Sequence, residues 1–509
     1  MRERIISMEN VTPDLKDIRI YQKLGRVDAA SIESVDQLLL ILPERPRKTV
    51  FDRLPQGAKM QAVMRKHAPD STPAFTTRQA NKRQTLIVAG TLKTGATPFE
   101  QLTLGRELVA AATAQKPGSL GICAVGFDAD AQAVIVGNVL AAALAAAFSM
   151  PAYKRKPDPQ KIRSVRLIGL DDPLDTARIQ AEAKGNNLAR WLTALPPNLL
   201  DANAYAELVQ AMAKERGWQH KRFRTRDLAP LGCGAFLAVA QGNEDDSASI
   251  VRLRYRPGEK PARADLSLVG KGVIFDTGGT NLKPFEYMLD MHGDMQGSAV
   301  ALGTFLAISE LELPIAVDCW LALTENRTGP RAYKSQDVIT AANGKTIQTI
   351  HTDAEGRMAL ADTLVLASRD EPGIVFDFAT LTGSCVRALT TRYSGVFTNR
   401  ESLHARLTGT GEKSGERVWP FPIGKEFMKD LESPTADFQQ CSVKGIGDHI
   451  LAASFLAEFI ENDVPWVHVD LSASDNDGGL GHVPSKFTGF GVRYTMSAIL
   501  DDDLYRTAL

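Results

Sequence analysis

The sequence predicts an α/β protein of two domains. Each is a mixed, largely parallel sheet flanked by helices, and a long helix joins them. Three observations lead there. Short β-rich runs alternate with helical stretches along the whole chain, the pattern of parallel sheets covered on both faces. At 509 residues the chain is long enough for two large domains. An uninterrupted helical pattern from Asp171 to Leu195 separates the two alternating regions. It begins at Asp171-Asp172-Pro173 and is stopped by Pro196-Pro197. The expected organisation is therefore an N-terminal domain over 1–170, a linker helix over 171–195 and a C-terminal domain over 196–509.

In the first domain, Thr85–Gly90, Ile122–Val125 and Val165–Leu170 read as strands, and Gln101–Ala114 and Gly137–Phe148 as helices. Tyr153–Pro159 reads as a charged, proline-containing connector. In the second, Leu266–Val269, Ile315–Leu321, Ile374–Phe378 and Trp466–Leu471 read as strands. Helices are expected near Gly297–Leu311, Arg357–Arg369 and Ala452–Asn462.

Hydrophobic residues make up 44% and charged residues 23%, enough apolar material to offset the entropy of ordering. Lys plus Arg (59) balances Asp plus Glu (60), so no global charge draws the chain to nucleic acid or an acidic membrane. The most basic stretch, His220–Arg226, reads as a solvated strand or loop face, with a nucleic-acid patch as the minority reading. The longest apolar run, Val134–Phe148, is alanine-rich and shorter than the ~20 residues of a spanning helix, so it is expected to be packed and no membrane partner is predicted. Met1–Ile6 has no apolar signal region. The five cysteines are scattered without a C-x-x-C pair, which suits a reducing cytoplasm and argues against disulfides and a cysteine zinc site.

Chemistry concentrates in 270–383. An apolar strand runs into Asp276 and a glycine-rich turn, and ligands of open α/β sheets sit beyond the carboxyl ends of strands. Lys271 falls at a position that reads as buried, where an ammonium must be paired or neutralised. Lys283, Asp290 and Asp294 follow. Asp294 alone reads most simply as a helix N-cap. His351-Thr352-Asp353-Ala354-Glu355-Gly356-Arg357 then packs two carboxylates and a guanidinium between a strand (346–350) and a helix. A cap explains one acid there, not two. Four carboxylates (Asp276, Asp294, Asp353, Glu355) and a lysine at strand ends and helix starts of one sheet are tolerable together around cations. Oxygen ligation suits Mn²⁺, Mg²⁺ or Co²⁺ and permits Zn²⁺. Four shared carboxylates exceed the need of one ion, so two ions is the natural count.

Gly270–Gly279, Thr352–Arg357 and Ala379–Gly383 resemble the leucyl (cytosol) aminopeptidase family. Weaker matches lie at Pro196–Asn198, Leu237–Gly242, Glu325-Asn326 and Thr488–Arg493, so the resemblance covers nearly all of the second domain. It implies a metal-dependent exopeptidase acting on peptides with a free N-terminus. It implies two divalent ions, Mn²⁺ or Zn²⁺ first, one on Lys271, Asp276, Asp294 and Glu355, the other on Asp276, Asp353 and Glu355. It implies Lys283 as the oxyanion-stabilising lysine, a bicarbonate proton shuttle on Arg357, and a homohexamer.

Three departures stand out. His351 replaces the usual Asn, and Ser335-Gln336-Asp337 replaces a Pro-Gly-Asp turn. Ser472-Ala473-Ser474-Asp475 replaces an apolar stretch expected to line the pocket for the first side chain with Met291, Thr380 and Gly383. Its polarity points to broad specificity, Leu and Met included, with tolerance of basic side chains. The competing readings are a two-metal phosphoester hydrolase, which would want more basic residues than Lys283 and Arg357, and DNA binding through Lys221–Arg226 or Lys154–Lys156 in addition to peptidase activity.

Overall fold

The computed structural model describes residues 11–66, 71–156, 161–243, 246–258 and 263–507. Met1–Ile6 and the Pro157–Pro159 part of the connector lie outside them. Six strands form the first sheet: β1 (Arg19–Leu24), β2 (Gln37–Pro43), β3 (Phe75–Arg78), β4 (Leu86–Leu92), β5 (Ser119–Ala124) and β6 (Ser164–Leu170). Their order is β1-β6-β5-β2-β4-β3, and only the β3–β4 pair is antiparallel. The sequence of β2, Gln-Leu-Leu-Leu-Ile-Leu-Pro, is apolar on both faces because parallel neighbours and helices cover both.

The apolar run forms the helix Ala129–Ala147, started by the Asp128 carboxylate accepting from Ala131 N–H. By length and composition it could cross a membrane, but it is mostly buried in this fold, against the helix Pro98–Thr113 and the sheet. The five cysteines are all buried and free.

The joining helix spans Ala177–Ala194 and does not begin at Asp171. Residues 171–177 satisfy their backbone otherwise. Asp171 N–H donates to Gln132 Oε1, Leu174 exchanges two hydrogen bonds with the Gln22 side chain, and Ala177 N–H donates to Asp175 Oδ1. These bonds hold the segment against the first sheet in a non-helical path. The helix then crosses Gln296–Glu310 at backbone contact: a Cβ on Gly185 would stand 2.3 Å from the Gly303 carbonyl oxygen, and one on Gly303 2.4 Å from that of Gly185.

The second sheet contains β7 (Gln219–Arg224), β8 (Ser249–Tyr255), β9 (Leu266–Asp276), β10 (Val317–Asn326), β13 (Ile374–Ala379), β14 (Ser394–Thr398), β15 (Val418–Pro420) and β17 (Trp466–Asp470). Its order is β15-β14-β17-β13-β9-β10-β8-β7. The central strands β17, β13, β9 and β10 are parallel, while β14, β8 and β7 join antiparallel. The basic stretch forms β7, where Lys221 lies over the Phe223 ring and Arg222 donates to Ser249 Oγ and the Ser247 carbonyl. A third sheet of β11 (Val338–Thr340), β12 (Thr346–Gln348) and β16 (Phe438–Gln439), absent from the sequence expectations apart from β12, leads directly into residues 349–355.

Candidate active site

The site forms at the carboxyl ends of β9, β10 and β13. β9 is buried along nearly its whole length, which places Lys271 in the interior at 2% exposure. Small neighbours make room for it. A Cβ on Gly270 would meet Ser298 Cα at 2.4 Å, and one on Gly356 would meet Lys271 Cε at 2.6 Å. The glycine of Asp-Ala-Glu-Gly-Arg is thus the residue that lets the Lys271 stem pass the helix Glu355–Arg369.

Asp276 ends β9. Gly278 N–H and Asn326 Nδ2 both donate to its Oδ1 at 2.8 Å, and Asn326 also donates to the Thr352 carbonyl, linking the two motif loops. Gly278 (φ +86°) and Gly279 (φ +66°) turn the chain in a conformation that β-carbon-bearing residues rarely adopt. Thr352 closes the same turn, donating to the Gly278 carbonyl and accepting from Asn281 N–H.

Asp294 is not the N-cap of the helix that follows it. The N-cap of Gln296–Glu310 is Met295, without a side-chain cap bond. Asp294 Oδ1 instead accepts from Lys271 Nζ and Thr380 Oγ1, each at 2.8 Å, and its Oδ2 is 2.7 Å from Lys271 Nζ. The lysine outcompetes local capping because a buried ammonium needs a counter-charge. Glu355 Oε1 is 3.0 Å from the same ammonium. Lys283 Nζ lies 2.9 Å from Asp276 Oδ2 and 2.5 Å from Asp353 Oδ1.

Asp276, Asp353 and Glu355 each offer one oxygen to a common point, these atoms lying within 4.8 Å of one another. Glu355 Oε2 is buried with no hydrogen-bond donor, although a second oxygen of such a carboxylate normally finds one. Burial and mutual repulsion with Glu355 push Asp294 up to about 7 and raise Asp276 and Asp353, against the pull of the lysines. Burial also acts to raise Glu355, but Lys271 and Lys283 outweigh it and bring it below its ordinary value. Burial works against the Lys271 ammonium, and Asp294, Glu355 and Asp276 reverse that effect. Three carboxylates converging on one point, Asp276 and Glu355 buried and Asp353 half-buried, with a spare oxygen lacking a donor, fit a divalent cation.

Arg357, two residues after Glu355, is aimed elsewhere. Its Nη2 donates to both Asp448 oxygens and its Nη1 to the Gln440 carbonyl, while Nε is buried without a partner. Gln440 also receives His351 N–H and donates to the Ala354 carbonyl, bracing the 350–355 loop. His351 accepts from Asp353 N–H. A cleft of about 330 Å³ opens between Lys283, Asp353, His351 and Tyr287.

Asn326, Gln440 and Asp448 were not singled out as site residues from sequence. Asn326 stood in a quoted motif, but nothing local marks the other two.

Of the expected pocket residues, Thr380 joins the cluster through Asp294, and its carbonyl accepts from Lys271. Gly383 and Asp475 share no hydrogen bond or ion pair with it among the described residues, and Met291 meets it only through its carbonyl, which accepts from Asp294 N–H at 3.5 Å. Met291 lies in the 3₁₀ turn before Asp294, and a Cβ on Gly383 would have only Arg387 Nη1 near it. Ser472 and Ser474 are buried, and Ser472 Oγ donates to the Tyr393 carbonyl. Asp475 reaches the surface, 3.6 Å from Lys486 Nζ, which also pairs with Asp290 at 2.8 Å.

The catalytic-domain model of the cytosol aminopeptidase family matches residues 187–496. A probable cytosol aminopeptidase of Synechococcus sp. (strain CC9605) is 36% identical over 426 residues, 82% of this chain and 86% of that one. One from Pseudomonas paraeruginosa (strain DSM 24068 / PA7) is 39% identical over 366 residues, 70% of this chain and 72% of that one. A tomato leucine aminopeptidase mutant shares the fold, with a TM-score of 0.83, 24% identity and coverage of 96% of this chain and 98% of that one. The bottromycin maturation enzyme BotP, solved in complex with Mn, has a TM-score of 0.78 and 28% identity, covering 91% of this chain and 98% of that one. With the acid cluster, its two lysines and the parallel strand ends that carry them, these likenesses establish that the chain belongs to the cytosol aminopeptidase family and is a metal-dependent hydrolase releasing N-terminal residues from peptides.

Proposed function

We propose that this chain is a two-metal aminopeptidase whose ions are held by Asp276, Asp353 and Glu355 on one side and by Lys271, Asp294, Asp276 and Glu355 on the other. The observation that carries this is the convergence of the three carboxylates, two of them buried, with Glu355 Oε2 lacking any donor. Mn²⁺ and Zn²⁺ suit the donor set, and Mg²⁺ or Co²⁺ is compatible with it. Bound there, two divalent ions supply an acidified water and a contact for a neutral α-amine, which explains a requirement for a free N-terminus.

The protein's own groups do the rest. Lys283 keeps a preorganised ammonium beside the cluster, suited to the oxyanion of the tetrahedral intermediate. Thr380 Oγ1 orients Asp294 from outside, and Asn326 and Gly278 hold Asp276 in one rotamer.

Asp448 takes both N–H groups of Arg357 Nη2 and the Gln440 carbonyl one of Nη1, which leaves Nε–H and the second Nη1–H as the donors for a bicarbonate at Arg357. No proton step is assigned to such an ion. The Asp448 carboxylate already offsets the Arg357 charge, which disfavours phosphoester hydrolysis. We place the activity in the cytoplasm, as the relatives' names suggest, and in a homohexamer. Broad side-chain preference, with Met291, Thr380, Gly383 and Asp475 around the first side chain, follows from the polar rim.

Aminoacyl amides and phosphodiesters should be offered to metal-depleted and metal-restored protein. Amide hydrolysis that disappears on chelation and returns with Mn²⁺, Zn²⁺ or Co²⁺ is the expected result. Full amide activity in protein shown by elemental analysis to be metal-free would refute the proposal.

A further inference from the structure

A cavity of about 970 Å³ lies away from the acid cluster, between the 12–19 segment, the end of the Ala129–Ala147 helix, the Ala177–Ala194 helix and Pro484-Ser485. Arg190 lines it and is 1% exposed. Its Nη1 donates to the Ala145 carbonyl and Asn187 Oδ1, and its Nε to Ser485 Oγ. None of the described residues accepts from Nη2. All three acceptors are neutral. They satisfy N–H groups without supplying a counter-charge, and the helix C-terminus at Ala145 offsets only part of the charge.

The surroundings add to the imbalance. Of the acids lining the cavity, Asp17 pairs with Lys184 and Asp14 with Lys16. That leaves Arg19, Arg163 and Arg190 unmatched by lining acids. Buried His482 is kept neutral by burial and by Arg493, Arg190 and Arg106, of which Arg493 pairs with Glu182; burial lowers the Arg190 guanidinium to about 9. A buried cation kept without a partner is costly, and a bound anion removes that cost. One wall is aromatic, with Trp191 packed edge-on to Phe148 at 6.0 Å between ring centres.

We propose that this cavity is a binding site for a small organic carboxylate with an apolar body, its charge on Arg190 Nη2 and its body against Trp191 and Phe148. Benzoate and its neutral isostere benzamide are the probes, titrated calorimetrically into the whole, metal-depleted protein so that the peptidase centre cannot hold the carboxylate through metal. Benzoate should bind saturably and about tenfold or more tighter than benzamide, the scale of one charge-assisted hydrogen bond. Arg190→Met should abolish the difference, and a 3-iodobenzoate soak should place its carboxylate on Arg190. Should Arg190→Met fail to fold, the wild-type comparison and the iodine position decide. Equal binding of the two probes, no saturable binding, an iodine site elsewhere, or unchanged benzoate affinity in Arg190→Met would each overturn the proposal and leave Arg190 as a tie between helix ends.

Discussion

Arg357 and Asp448, 91 residues apart in the chain, form a two-bond pair in which Nη2 donates to both carboxylate oxygens at 2.8 and 2.9 Å. The guanidinium is 2% exposed and the carboxylate 28%. Removing the carboxylate strands a buried charge, whereas removing the guanidinium leaves an acid that water can reach. Asp448→Asn should therefore cost about 3 kcal/mol or more, and Arg357→Met less. Urea unfolding of both variants and the double variant should show a coupling of about 1–3 kcal/mol. Strict additivity would mean that the pair contributes nothing specific.

The two lysines of the cluster should separate by phenotype. Lys283→Ala should lower kcat by about 10²- to 10³-fold, as loss of one oxyanion donor does, with metal content nearly retained. Lys271→Ala should reduce metal occupancy. Elemental analysis beside steady-state kinetics distinguishes them, and equal metal loss in both variants would contradict the division of roles.

Specificity should respond to Lys486, which occupies the charges of Asp290 and Asp475. Lys486→Ala should raise the ratio of kcat/KM for Lys and Arg amides over Leu and Met amides by about fivefold, since a partly exposed pair is worth about 1 kcal/mol. Asp475→Leu should lower it. If neither ratio moves, these residues lie outside the substrate's reach.

Stability should depend on pH through Glu416. Its Oε2 accepts from Gly491 and Tyr494 N–H at the start of the helix Val492–Leu500, yet burial pushes it from 4.5 up to about 7. An acid whose folded value lies above its unfolded one makes the native state hold its proton longer, so stability falls as pH rises from about 4.5 to about 7. Glu416→Gln should remove up to about 3 kcal/mol of that decline, appearing more stable relative to wild type at pH 8 than at pH 5. Denaturant midpoints at the two pH values test this, and a constant difference between variant and wild type would exclude it.

The legible part of the site was its short-range part. Asp276 ends one strand, Asp353 and Glu355 lie two residues apart between a strand and a helix, and the glycines beside them follow from a turn that needs positive φ or from the space Lys271 requires. Taken alone, Asp294 reads as a helix N-cap, and only its grouping with the other three carboxylates points to the cluster; in the fold a lysine 23 residues away takes its carboxylate in place of the local backbone. Local reasoning also began the joining helix at Asp171, because the side chains of Gln22 and Gln132, remote in sequence, claim the backbone of that segment.

By itself the sequence determined the α/β class, the acid cluster at strand ends and the need for cations, since periodicity and the cost of crowding carboxylates are local or compositional facts. The tertiary structure alone decided that Arg357 is spoken for by Asp448, that Asp475 answers to Lys486, and that Arg190 faces a cavity without a counter-charge. Each depends on which distant side chain arrives within hydrogen-bonding distance. That is set by how helices and sheets pack, at glycine contacts such as Gly185 on Gly303, and no local propensity encodes it.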